Sequence, residues 1–205
     1  MKGTFAGAVA GTLTGVVAGL LLSGSVFAEQ GDWLVRVGAH TVTPKSDNHA
    51  VVDVDAATMM TFNATYFVRE RLAVEVLAAL PFEHDIDLVG GDQVGRTKHL
   101  PPTVSLQYHF RPDARFRPYV GVGVNVTEFF QEDTEGALAG ADLELDRSVG
   151  LAAQVGFDVD ITKRWFANLD LRYFDIDTDA SLDGADLGTV EIDPWAVGLS
   201  LGVRL

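Results

Sequence analysis

From Trp33 onward the chain alternates between two faces with a period of two, and it does so in eight separate segments. The clearest sets Val120, Val122, Val124 and Val126 against Tyr119, Gly121, Gly123, Asn125 and Thr127. The last sets Trp195, Val197, Leu199, Leu201, Val203 and Leu205 against Ala196, Gly198, Ser200, Gly202 and Arg204. The other six open near Trp33, Met60, Leu72, Thr103, Val149 and Trp165. A soluble sandwich or lipocalin-like barrel would bury the apolar face and show water a charged one. Here the second face is mostly Gly, Ala, Ser, Thr and Asn with a few charges, which suits a narrow lumen and turns the apolar face outward to lipid.

The connections alternate too. Short ones fall at 68–71, 111–115 and 161–164, and long ones at 44–57, 82–97, 131–147 and 175–190. An even number of strands, short periplasmic turns, long surface loops and aromatic girdles characterise outer-membrane barrels. The expected fold is an all-β, eight-stranded antiparallel transmembrane β-barrel with short periplasmic turns and long extracellular loops. Trp33, Tyr66, Tyr108, Trp165, Tyr173 and Trp195 are the expected interface girdle. After residue 28 no apolar run reaches the roughly 18 residues that a transmembrane helix needs.

Residues 1–28 read as a secretory signal: Lys2, an apolar and glycine-rich stretch, then Val26-Phe27-Ala28 before Glu29. The expected barrel domain is 29–205, and the expected location is the bacterial outer membrane. Loss of the signal leaves 14 basic against 29 acidic residues, a balance that repels nucleic acid. No cysteine is present, so disulfides, thiolate catalysis and Cys-ligated zinc are excluded.

Several strings resemble the outer membrane protein W (OmpW) family: "EVLAALPFEHDI", "KHLPPTVSLQYHF", "FRPYVGVGVNVTEFF", "RYFDIDT" and "DPWAVGLSLGVRL", in the family's order over 31–205. The resemblance implies an eight-stranded outer-membrane barrel that passes small hydrophobic molecules inward. It also implies links to stress adaptation or to bacteriocin and phage reception. The alternative it leaves open is a closed structural or surface-interaction barrel whose loops carry the function. Two positions depart from the family pattern: the chain ends in Leu205 where relatives carry an aromatic assembly signal, and Arg172 stands where many carry an inward Trp. Leu77 matches an inward apolar position.

Face assignment turns Arg36, Glu75, Gln107, Arg117, Asn125, Asp158, Asp170, Arg172 and Arg204 inward. Charges withdrawn from water must be paired, so these residues are expected to form a network that also fills the lumen. Pro81, Pro101 and Pro102 lack the N–H that a ladder needs and face one another across one hairpin, which points to a lateral opening near the outer leaflet.

The long loops are acidic and read as a solvated surface, with divalent-cation binding near lipopolysaccharide as the weaker reading. "DIDTDASLDGAD" lacks the spacing and terminal Glu of a calcium loop. No HExxH or GxSxG motif supports catalysis. No enzyme activity, cofactor or metal is expected. The expected partners are outer-membrane lipid and lipopolysaccharide, small hydrophobic solutes, and the barrel-assembly machinery during biogenesis.

Overall fold

The computed structural model describes residues 30–45, 52–88 and 91–205. The expected signal segment lies outside them, as do the loop residues Asp47 and His49. Fourteen strands run through the described residues: β1 (Trp33–Thr43), β2 (Val52–Val54), β3 (Ala57–Arg69), β4 (Leu72–Ala79), β5 (Phe82–Leu88), β6 (Gln93–Leu100), β7 (Thr103–His109), β8 (Phe116–Thr134), β9 (Leu143–Leu145), β10 (Ser148–Asp160), β11 (Trp165–Phe174), β12 (Asp177–Leu182), β13 (Ala185–Glu191) and β14 (Trp195–Arg204).

Eight of them close a barrel in the order β1-β3-β4-β7-β8-β10-β11-β14, each antiparallel to the next, with β14 returning to β1 from Leu34↔Arg204 to Thr43↔Trp195. Period-two alternation sorts the side chains. Val122, Leu151 and Leu199 on the outer face are about two-thirds exposed, whereas Arg36, Glu75 and Asp158 on the inner face are wholly buried. An apolar exterior around a polar interior inverts the soluble pattern.

Inner-face glycines make room for rings on the neighbouring strand. Gly156 stands opposite Tyr119, Gly202 opposite Phe166, and Gly198 opposite His40. A Cβ at Gly156 would lie 2.6 Å from the Tyr119 hydroxyl, and one at Gly202 would lie 2.2 Å from the Phe166 ring. The small second face of the sequence thus reflects dense packing by large neighbours.

At the short-turn end, the Thr162 hydroxyl accepts hydrogen bonds from the backbone N–H groups of Arg164 (3.2 Å) and Trp165 (3.0 Å). Aromatic rings gather at the same end, Trp33 against Tyr66 at 4.9 Å and Tyr108 against Phe110 at 5.2 Å. Tyr173 and Trp195 pair at the opposite end of the wall, 5.3 Å apart.

The long connections are largely ordered as sheet. β5 and β6 continue the β4–β7 hairpin outward, β6 pairs with the upper part of β8, and β2 adds to β5. A separate sheet of order β13-β12-β9 stands beside them. The "DIDTDASLDGAD" stretch is the β12–β13 hairpin, turned at Asp183 and Gly184 with φ of 50° and 76°, the left-handed pair that a tight hairpin requires.

Candidate functional site: a filled barrel beneath an apolar surface cavity

The barrel interior is layered. At the short-turn end Leu34, Phe67, Ala73 and Phe166 form an apolar seal. The Arg36 and Arg117 guanidiniums lie over the Phe166 ring at 5.4 and 5.3 Å, a favourable cation–π placement.

Above this seal comes an ion network centred on Glu75. Its carboxylate accepts hydrogen bonds from Arg172 (2.8 Å), Asn63 (3.1 Å), Gln154 (3.1 Å) and Arg36 (3.4 Å). Arg36 also donates to Asp158 at 3.1 Å, and Arg172 to Asp170 at 2.7 Å. His40 joins through Asp170 (3.0 Å) and Thr61 (2.7 Å). Asn168 donates to Asp158 at 2.9 Å and to the Tyr119 hydroxyl at 3.0 Å. Each charge meets an opposite one and several dipoles, the condition under which buried charge is tolerated.

Of the ten lumen positions, Arg36, Glu75, Asp158, Asp170 and Arg172 share this network, and Gln107 reaches it through Gln154 at 3.4 Å. Arg117 touches the network through Asp158 at 3.7 Å and meets Arg204 at Asp160, nearer the short turns. Asn125 stands apart, donating to the carbonyls of Leu151 and Asp175. Leu77 belongs to the apolar layer above. His40, Asn63, Gln154, Asn168 and Asp160 were not singled out from sequence, although all but Asn63 share the parity of a singled-out residue on their own strand.

The third layer is apolar, with Leu77, Phe82, Phe174, Ile176, Val190 and Ile192 among its members. Between the two outer sheets it borders a cavity of about 260 Å³, lined by Ile86, Val94, Phe129, Leu145, Leu182 and Val190 among others, with His84, Thr97, His99 and Thr178 as polar members. The two histidine rings stack at 4.9 Å, and His99 stacks on Phe82 at 5.4 Å. Burial and the neighbouring His84 bring the His99 imidazole down to about 3. His84 is lowered by burial against the opposing pull of Asp55 and Asp85.

The three prolines lie where this outer layer meets the wall. The β4–β7 ladder ends at Leu77↔Thr103, the β5–β6 ladder begins at Phe82↔His99, and the register advances by one residue across the gap. The flanking polar groups find other partners. Leu80 N–H donates to the Met60 carbonyl (3.0 Å), the Pro102 carbonyl accepts from Val126 N–H (3.0 Å), and the Pro101 carbonyl accepts from the Thr103 hydroxyl (3.0 Å). The break therefore leaves these groups satisfied, as a site facing lipid requires. Among the described residues, no group of three or more His, Asp or Glu side chains is arranged to hold a metal ion.

An eight-stranded barrel with an apolar outer wall, aromatic ends and long surface connections is an outer-membrane β-barrel. The OmpW family model matches residues 29–205, and the chain belongs to that family. It is 40% identical to outer membrane protein W of Vibrio cholerae over 207 residues, covering 92% of this chain and 95% of the relative. The crystal structure of OprG from Pseudomonas aeruginosa superposes with a TM-score of 0.79 at 32% identity, covering 89% of this chain and 99% of OprG. A more distant relative, 26% identical over 200 residues (88% of this chain, 92% of the relative), is a Pseudomonas aeruginosa protein named for a dibenzothiophene metabolism operon, PahQ.

Proposed function

We propose that this barrel is a narrow passive conduit that takes small hydrophobic molecules at the cell surface and releases them sideways into the membrane. The observation that carries the reading is the stacking of layers. An apolar cavity lies outside, a side-chain-filled ion network lies beneath it, and His99, which lines the cavity, belongs to the last β5–β6 ladder pair before the break that ends at Leu77↔Thr103. A hydrophobe gains by leaving water for the cavity and loses by crossing buried charge, so its downhill path runs through the wall.

Pro81, Pro101 and Pro102 hold that path open in this reading, because none can donate the hydrogen bond that would close the ladder. The name of the dibenzothiophene-operon relative accords with an aromatic hydrophobe as cargo. The acidic outer loops sit among lipopolysaccharide, and the barrel-assembly machinery inserts the chain. The buried carboxylates of the ion network and His40 serve structure, and the reading assigns no catalysis.

The test is the initial uptake rate of a hydrophobic compound and of a small sugar, in cells with and without the protein at matched envelope integrity. The conduit predicts faster uptake of the hydrophobe alone. Replacing the three prolines with alanine in a folded barrel should slow that uptake. No difference for either solute would move the function to the loops as a surface-interaction barrel.

A further inference from the structure

We propose that the cavity selects hydrophobic solutes carrying one hydrogen-bond donor, through a polar subsite made by His84 and Thr97. This rests on the reading of the cavity as the solute site. His84 and Thr97 are ladder partners on β5 and β6, and both line the cavity. Each is at least nine-tenths buried, and each carries a polar atom without a hydrogen-bond partner: Nε2 of His84 and Oγ1 of Thr97. Buried polar groups are normally paired, so two such atoms on ladder partners that both line this largely apolar cavity point to a place for a ligand's polar group.

The chemistry of the donor follows from the tautomer. His84 Nδ1 bonds to the backbone carbonyl of Asp55, and a carbonyl can only accept. Nδ1 therefore carries the proton, and in the neutral ring Nε2 is a bare acceptor. A solute hydroxyl or N–H can donate to Nε2, while the Thr97 hydroxyl can in turn donate to a solute hydroxyl oxygen. Both atoms lie just beneath the cavity surface, so a solute reaches them only as the side chains lining that wall shift. His99 and Phe129, whose rings lie 5.9 Å apart, both line the cavity and suit an aromatic body. An aromatic alcohol or amine meets all of these features, and a pure hydrocarbon leaves Nε2 and Oγ1 unpaired.

The test compares 2-naphthol, 2-methoxynaphthalene and naphthalene binding to the full barrel in lipid nanodiscs, each corrected for partition into empty discs. The expected result is that 2-naphthol binds about tenfold more tightly than the other two, as one satisfied donor implies. Thr97→Val and His84→Phe should bring 2-naphthol to within about twofold of naphthalene while naphthalene binding is retained. The methoxy compound keeps the oxygen and removes only the donor, so the wild-type protein alone decides the matter if a variant fails to fold. Equal binding of all three would overturn the subsite and leave the cavity reading standing. No binding of any would overturn both.

Discussion

Glu75 Oε1 and Arg172 Nη1 lie 2.8 Å apart and join β4 to β11, strands on opposite sides of the barrel. The contact spans the barrel's width, so the two side chains meet where a pore axis would run. The barrel neutralises the Arg172 charge through Glu75 and Asp170.

That geometry makes Glu75 the residue whose loss is felt most. Glu75→Ala strands Arg36 and Arg172 with less counter-charge in a buried site and should cost about 3–5 kcal/mol. The paired replacement Glu75→Leu with Arg172→Leu removes both members and should cost far less. Urea unfolding from lipid vesicles measures both, and equal losses for the two variants would show that the ion pair is not the unit of stability.

The outer wall can be tested from the lipid side. Leu199 is 65% exposed near the middle of β14. Leu199→Arg should destabilise the barrel by about 2–4 kcal/mol, the cost of placing a charge at the bilayer midplane. The same change on a water-facing strand would be nearly neutral, so unfolding titrations from vesicles separate the two environments.

Gly156 is a packing residue. A methyl there meets the Tyr119 hydroxyl, which also holds Asn168. Gly156→Ala should therefore cost about 1–3 kcal/mol through overpacking. Gly156→Ala combined with Tyr119→Phe should recover little of the loss, because the retained ring carbon and Asp170 Cβ still lie 2.7 and 2.8 Å from the new methyl, read by the same unfolding midpoint.

The stacked histidines make the outer layer acid-sensitive. Both imidazoles are held below the ordinary value, His99 at about 3, so the unfolded hairpin takes up protons before the folded one does. Their contribution to stability is complete above pH 6.5 and is lost as the pH falls from there toward 3. Imidazole nitrogen shifts should report a neutral His99 at pH 5. A midpoint near 6.5 would show that its ring is open to water.

The sequence by itself determined which residues face lipid and which face inward, because a strand's two sides alternate strictly and one residue of slippage would expose a whole polar face. It placed Arg36, Glu75, Asp158 and Arg172 on one side in this way. It also marked the ladder break, since proline has no N–H whatever surrounds it. It did not disclose that β5, β6, β9, β12 and β13 build an outer layer. In a stretch such as Glu83-His84-Asp85-Ile86-Asp87 the alternation is present, but the charges make it read as a loop.

Only closure of the barrel decided who pairs with whom. Parity assigns a face but not a height or a partner across the axis, so Glu75 with Arg172, His40 with Asp170 and the separate place of Asn125 required the register of all eight strands. The cavity belongs to the same category. His84 and Thr97 meet across the β5–β6 hairpin, but the cavity beside them forms only because residues of β8, β9, β12 and β13, distant in the chain, fold over that hairpin.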